Sequence, residues 1–202
     1  MGKIIKINSR RPQRKRIEEA VRLLKRGGLV IFPTDTVYGL GASIRFPGAI
    51  RKIYRIKRRS GKKPLVFLIG FKKDIGKFTG RLSNEAKKLI RNFWPGPLTL
   101  LFTSRKYKTI ALRIPDHRIA LSLIRRAGPL AVTSANLSGR KESVTLRGVE
   151  NQLLQEADLS IDGGKAPLGR VSTVLDVTKR PKVVREGCIK ERELRQWTTG
   201  KD

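Results

Sequence analysis

The sequence has very little cysteine and histidine. It contains one cysteine, Cys188, and one histidine, His117, among 202 residues. A single cysteine cannot form an internal disulfide, and one residue of each type is too few for an ordinary zinc site or Cys–His nucleophilic pair. We therefore expect no metal site built from protein ligands, and we expect His117 to be an exposed residue at the start of a helix.

Acidic residues and long apolar runs are also scarce. There are 16 Asp and Glu against 46 Lys and Arg, which gives a net charge of +30 and favours partners that carry phosphate. The N-terminal MGKIIKINSRR has no apolar stretch like that of a signal peptide, and no later run is long enough to span a membrane. We expect a cytoplasmic protein without a membrane partner. Charge alone leaves two classes open, a nucleic-acid-binding protein and an enzyme that acts on polyanionic substrates.

Apolar residues alternate between helical spacing and short β-branched runs, which is typical of an α/β fold. No repeat, linker or shift in composition divides the chain, so a single domain over residues 1–202 is predicted. The predicted helices are 13–26, 48–58, one capped by Ser83 that ends near 93, one near 120–127 and one near 149–157. The predicted strands are 29–32, 64–69, 98–103, 110–114, 130–133, 159–161, 173–177 and 182–184.

Neither standard nucleotide-binding motif is present. The sequence has no G-x-x-x-x-G-K-[ST] phosphate loop, and Gly39-Leu40-Gly41 lacks the third glycine of a dinucleotide fingerprint. Three hydroxyl-rich segments instead follow apolar strands, at 32–41, 133–139 and 171–173. Each alone is typical of ordinary turns and caps, but the three together indicate a shared site at strand ends.

A cluster of three cations and one isolated arginine also indicate a binding site. Lys57, Arg59 and Lys63 precede the strand at 64–69 and are suited to holding phosphate oxygens, although a basic helix end is equally consistent with the pattern. Arg113 lies within an otherwise apolar, alternating strand. If its face of the sheet is covered, Arg113 needs an anionic partner, which is either a ligand or an internal Asp.

Seven segments occur in the order found in one known family and together cover positions 27–187. They are GGLVIFPTDTVYGLGA, IYRIKRRSGKKPL, WPGPLTL, ALRIPDH, TSANLSG, STVLDVT and VVREG. The chain therefore resembles the YrdC-like threonylcarbamoyl-AMP synthases. The resemblance implies a twisted, mixed and parallel sheet of about seven or more strands, with flanking helices, curled around a basic concave cavity. It also implies synthesis of threonylcarbamoyl-adenylate and pyrophosphate from L-threonine, bicarbonate and ATP, for modification of tRNA.

The resemblance implies roles for individual residues. The K-x-R signature falls on Lys57 and Arg59, which would be catalytic, and the S-x-N signature falls on Ser134 and Asn136. Both signatures would hold ATP. Further residues that would line the nucleotide are Lys63, Thr109, Ser143 and Arg185, and those that would hold threonine are Thr36, Arg113 and Ser172. Magnesium would arrive with ATP, and downstream threonylcarbamoyl transferase proteins would use the product.

The sequence departs from the family pattern at two places. Leu68 stands where longer members carry a histidine, and the RKESVT loop after Gly139 is one residue longer than in those relatives. Because the chain stops near residue 202, it resembles the short form of the family.

The implied reaction needs no protein nucleophile, because a threonine carbamate would attack the α-phosphorus of ATP; positioning and charge neutralisation would suffice. The alternative is a non-catalytic RNA-binding protein in tRNA or ribosome maturation. The aromatic residues of this chain fall mostly on apolar stripes, so they offer no evident platform on which RNA bases could stack. The surplus charge predicts weak, non-specific RNA binding in either case.

Overall fold

The computed structural model describes residues 2–61 and 63–198. These residues form one mixed β-sheet flanked by six helices. The strands are β1 Lys3–Lys6, β2 Val30–Phe32, β3 Gly39–Ser43, β4 Val66–Leu68, β5 Leu98–Thr103, β6 Thr109–Arg113, β7 Leu130–Ser134, β8 Leu159–Asp162, β9 Thr173–Asp176 and β10 Lys182–Arg185. The helices are α1 Arg14–Lys25, α2 Pro47–Ile56, α3 Asn84–Phe93, α4 Arg118–Ala127, α5 Asn151–Glu156 and α6 Glu191–Thr198. Two 3₁₀ turns lie at Lys72–Lys77 and Leu146–Gly148.

The ten strands of the described residues pair in the order β1-β8-β2-β3-β7-β4-β6-β5-β9-β10. Pairing is parallel between β1 and β8, β8 and β2, β4 and β6, and β5 and β9. The remaining neighbours are antiparallel. The predicted α/β class with a mixed sheet is confirmed. The single domain over 1–202 stays a prediction, and residues 1, 62 and 199–202 lie outside the described part.

Helices cover both faces of the sheet because neighbouring residues of a strand point to opposite sides. On β2, Val30 and Phe32 pack in the core formed with α1 and α4. Ile31, between them, packs with α2 and α5 on the other side. A third core joins α3 and α6 to β5, β6 and β9. The five predicted helices, α1 to α5, thus bury the apolar stripes that their sequence spacing predicts, whereas α6 was not predicted.

The helix cap predicted at Ser83 is confirmed. Ser83 Oγ accepts a hydrogen bond of 3.1 Å from the Ala86 amide, which satisfies a donor in the first turn of α3. No helix in the described part of the chain is long and apolar enough to cross a membrane.

The hydroxyl-rich segment 32–41 was predicted to be a turn after its strand, and this prediction is wrong for the last residues of the segment. Residues 39–43 form β3, a fully buried strand between β2 and β7. A Cβ on Gly39 would lie 2.8 Å from Val132 Cγ1, and one on Gly41 would lie 2.9 Å from Val132 Cγ2. Close approach of β7 therefore requires glycine, a residue that strand propensity disfavours.

The prediction that His117 is exposed is also wrong. His117 immediately precedes α4, as expected, but it is 8% exposed. Its Nδ1 has no hydrogen-bond partner. Burial lowers the pKa of His117 to about 4, so the imidazole is neutral at pH 7.

Candidate functional site

A cavity of about 360 Å³ opens on the sheet where β3, β7, β4, β6, β5, β9 and β10 meet. Its floor is apolar and comes from alternate residues of these strands, including Val66, Leu68, Ala111 and Val132. Hydroxyl groups and cations surround that floor. The hydroxyl residues are Thr34, Thr36, Thr99, Thr133, Ser134 and Ser172, and the cations are Arg59, Lys63, Arg113 and Arg185.

Most of the site residues predicted from the sequence line this cavity. They are Thr36, Arg59, Lys63, Arg113, Ser134, Ser172 and Arg185. Lys57 and Asn136 lie beside it, buried in the fold. Leu68, at the position of the family's histidine, contributes an apolar wall at 2% exposure.

Two predicted residues lie apart from the cavity wall. Thr109 is an exposed residue at the start of β6, paired with Thr103. Ser143 is 4% exposed, and its hydroxyl donates a 2.6 Å hydrogen bond to the Gly148 carbonyl. Its own carbonyl accepts a 2.8 Å hydrogen bond from the Tyr38 amide. In this structure Ser143 therefore supports the loop behind the cavity.

Arg113 is held by three different acceptors. Its Nε donates to the Gly96 carbonyl at 2.9 Å and its Nη1 to Thr36 Oγ1 at 3.0 Å. Its Nη2 forms an ion pair with Asp35 Oδ1, with the two side chains 6% and 4% exposed. The second Asp35 oxygen has no partner, and burial raises the pKa of Asp35 against the opposing effect of Arg113. The anion that Arg113 requires is thus internal, and two N–H groups of its guanidinium have no acceptor among these contacts.

The opposite wall carries Arg185 and a buried hydroxyl pair. Arg185 Nη2 donates to the Ser172 carbonyl at 2.9 Å, and Ser172 Oγ lies 2.9 Å from Thr99 Oγ1. Burial lowers the pKa of Arg185, while Glu142 opposes that effect. The contact to Ser172 fixes the guanidinium at the end of β10, beside the cavity.

Arg59 reaches the cavity through a turn at the end of α2. Arg58 adopts a left-handed conformation with φ of 48°, and the Arg59 amide donates to the Tyr54 carbonyl at 2.9 Å. Arg59 Nε and Nη2 then donate to the carbonyls of Lys63 and Pro64, at 3.0 and 3.1 Å. Arg58 is exposed, whereas Arg59 and Lys63 line the cavity.

Lys57 is 2% exposed and its ammonium group is occupied by backbone oxygens. Nζ donates to the Ser134 carbonyl at 2.5 Å and to the Asn136 carbonyl. Asn136 Oδ1 lies 3.4 Å away. Burial lowers the pKa of Lys57 to about 8, helped by Arg59 and opposed by Glu150 and Glu142.

Sequence reasoning missed Thr99 as a cavity residue, although a signal was present. Leu98, Leu100 and Phe102 of the same strand are in the core, while Thr99 and Leu101 line the cavity. A hydroxyl on one alternating face of an otherwise apolar strand is the pattern that could have identified it.

The charges of the cavity suit a ligand with several anionic oxygens. Four cations line it, and no Asp, Glu, His or Cys does so among residues 2–61 and 63–198. The same residues contain no group of three His, Cys, Asp or Glu side chains that could hold a metal ion. The donor set fits phosphate or carboxylate groups and does not fit a metal centre held by the protein.

Comparison with known proteins places the fold in a family. A family model described as Sua5_yciO_yrdC, telomere recombination, matches residues 22–187. The threonylcarbamoyl-AMP synthase of Bacillus subtilis is 37% identical over 190 residues, which are 88% of this chain and 55% of that protein. The synthase of Pyrococcus abyssi is 36% identical over 186 residues, 85% of this chain and 55% of that protein. The chain spans about half the length of these relatives.

Solved structures give the same result. P. abyssi Sua5 complexed with L-threonine has a TM-score of 0.92 at 33% identity, covering 96% of this chain and 60% of that one. E. coli YciO has a TM-score of 0.86 at 29% identity, covering 96% of this chain and 100% of that one. By sequence and by fold, the chain belongs to the Sua5/YciO/YrdC family.

Proposed function

We propose that this chain is an L-threonylcarbamoyladenylate synthase, a nucleotidyltransferase that forms threonylcarbamoyl-AMP and pyrophosphate from ATP, L-threonine and bicarbonate. The observation that carries the proposal is the cavity itself. Four cations from three separate parts of the chain converge on an apolar floor, and no His, Cys or acidic residue of the described chain accompanies them there. Such a site can bind and orient a polyanion without attacking it.

The phosphate chain of ATP would lie against Arg59, Lys63 and Arg185, with Ser134 as a hydroxyl partner. Arg59 and Arg185 are already fixed by hydrogen bonds to the protein, so their guanidinium groups need little reorganisation when charge develops on the departing pyrophosphate. The carboxylate of threonine would take the free N–H groups of Arg113, beside Thr36. Leu68 and Ala111 would contact apolar parts of the substrates.

Bond formation would then occur between the substrates. The amine of threonine attacks the carbon of bicarbonate with loss of water, or the carbon of carbon dioxide with loss of an amine proton, to give a carbamate. An oxygen of this carbamate then attacks the α-phosphorus of ATP as the bond to pyrophosphate breaks. The protein's part is to hold the two reactants in line and to neutralise charge. Magnesium would be bound by ATP oxygens, and no step here is assigned to it.

The product would pass to transferase proteins that modify tRNA, in the cytoplasm. The net charge of +30 exceeds what one triphosphate needs, and we expect the excess to bind RNA weakly and without sequence preference. An exclusively RNA-binding role would leave the cavity without a use.

The test is synthesis from purified components. The protein, incubated with ATP and magnesium, L-threonine and labelled bicarbonate, should release pyrophosphate and form a labelled adenylate detectable by mass spectrometry. Omission of threonine or bicarbonate should abolish both. ATP turnover at the same rate without threonine, or the absence of the adenylate, would refute the proposal.

A matched pair of variants separates the site from general charge. Arg59→Ala removes a cavity cation and should lower activity at least about a hundredfold, as loss of a preorganised charge contact does. Arg58→Ala removes the same charge from the exposed neighbouring position and should have little effect. Equal losses would show that overall charge, and not the cavity, supports the reaction.

A further inference from the structure

The most deeply buried cation beside the cavity is Lys57, and its contacts do not point to a substrate. It is 2% exposed and does not line the cavity. Arg59, two residues later, and Lys63 both do. The two cations of the K-x-R signature therefore occupy different environments.

The acceptors of the Lys57 ammonium group all belong to one loop. The carbonyls of Ser134 and Asn136 and the side-chain oxygen of Asn136 surround Nζ. An ammonium group has three N–H donors, so these oxygens can occupy all of them. The backbone adds a further link, because the Ser138 amide donates to the Lys57 carbonyl at 3.3 Å.

Other contacts also hold the segment from Ser134 to Ser138: Ser134 ends β7 and pairs with Gly39, and Ala135 is fully buried. The Ala135 amide donates to the Tyr38 carbonyl at 2.8 Å, and the Leu137 amide donates to Glu150 Oε1 at 3.2 Å. At Asn136, the side-chain amide bonds only to nearby carbonyls of residues 137 and 140. Lys57 is the C-cap residue of α2 and lies 77 residues before Ser134 in the chain. Its ammonium group therefore links the two carbonyls of this turn to the end of α2.

From these contacts we infer that Lys57 is a positioning residue: it holds the Ser134–Asn136 turn in place for the ligand and does not itself contact phosphate. Burial of a cation is costly unless polar groups satisfy it, and the turn supplies those groups. The direct contacts to an anion fall to Arg59 and Lys63. This inference rests on the proposed function only for the identity of the ligand, since the contacts of Lys57 exist in the ligand-free protein.

Amine labelling of the wild-type protein tests the inference. Reductive methylation with formaldehyde, followed by peptide mass spectrometry, should modify Lys57 at least roughly tenfold more slowly than Lys63, because a buried amine reacts only when the structure opens locally. The lowered pKa of Lys57 would by itself increase the reactive neutral form. Slow labelling therefore reports burial.

Addition of ATP gives the second arm of the same experiment. ATP should protect Lys63, whereas Lys57 should label slowly both with and without ATP. Rapid labelling of Lys57 that ATP prevents would overturn the positioning role. If ATP protects neither lysine, the proposed nucleotide site fails, while slow labelling of Lys57 still stands as evidence for its structural contacts.

Hydrogen exchange in the ligand-free protein gives a readout that a phosphate-contacting lysine would not change. In Lys57→Met, the amides of residues 135–138 should exchange at least about tenfold faster than in the wild type. Lys52→Met, on the same helix, is the control and should leave them unchanged. Unchanged exchange in a folded Lys57→Met protein would refute the inference, and if that variant does not fold, labelling of the wild type decides.

Discussion

Replacement of Asp35 by Ala should destabilise the protein by about 3 kcal/mol. Removal of one member of a buried ion pair typically costs roughly 3–5 kcal/mol, because the other charge remains buried without its counter-charge. The Asp35 and Arg113 side chains are 4% and 6% exposed. We expect the lower end of the range, since Arg113 keeps hydrogen bonds of 2.9 Å to Gly96 and 3.0 Å to Thr36.

Urea unfolding, followed by the fluorescence of Trp94 and Trp197, measures this loss. With a denaturant slope of roughly 3 kcal/mol per molar, the upper part of the usual range, the midpoint should fall by about 1 M. Glu18→Ala is the control, because it breaks only exposed pairs, with Arg14 and Arg126, and should cost much less than Asp35→Ala.

The double variant Asp35→Ala/Arg113→Met distinguishes pairing from simple loss of packing. It should lose less stability than the sum of the single variants, because no buried charge is left unpaired. Strict additivity, or a loss for Asp35→Ala no larger than that for Glu18→Ala, would refute the reasoning.

Three further predictions concern other parts of the chain. Because the pKa of His117 is lowered to about 4, its contribution to stability is full above pH 6.5 and is lost as pH falls towards 4. Urea unfolding at pH 7 and 4.5 should show roughly 2–3 kcal/mol more loss in the wild type than in His117→Gln, and equal losses would contradict burial of a neutral imidazole. Arg58→Gly should raise stability by about 0.5–1 kcal/mol, since glycine adopts a φ of 48° without strain. The control Arg55→Gly, within α2, should lower stability by about 1 kcal/mol, and a loss at both positions would remove the strain argument. Binding to cognate and unrelated tRNA should fall steeply with salt and show little preference, whereas tight selective binding at physiological salt, with synthesis dependent on tRNA, would favour the RNA-binding alternative.

The sequence predicts helices α1 to α5 because each of them carries an apolar stripe of helical period. Ile17, Ala20, Val21 and Leu24 are all buried in α1, as their spacing requires. β3 could not be found in this way, because its glycines have low strand propensity and are required only by the approach of Val132 on a distant strand. Short β1 and α6 likewise depend on tertiary pairing that their local sequence does not encode.

For the site too, the sequence predicts which residue types are present but does not predict the distant groups that contact them. An unpaired arginine in an apolar strand predicts an anionic partner for Arg113, but local sequence cannot tell Asp35 from a ligand carboxylate. The burial of Lys57 could not be predicted either, because its acceptors are backbone carbonyls that every residue possesses. Side-chain chemistry can be read from a sequence, whereas the placement of carbonyl groups requires the folded chain.

The absence of side chains at Gly39 and Gly41 of β3 leaves room for Val132 of the neighbouring strand. Val132 Cγ1 lies where it would meet a Cβ of Gly39, and its Cγ2 where it would meet a Cβ of Gly41. Gly39 and Val132 both line the cavity, so the space available to a ligand there depends on atoms that the protein lacks. A methyl group at Gly39 would be tolerated only if Val132 lost one, so that Val132→Ala would act as its suppressor. Through such paired exchanges the wall of the cavity could shift from one strand to the next, and with it the size of the ligand that fits, without any change in the cations that line it.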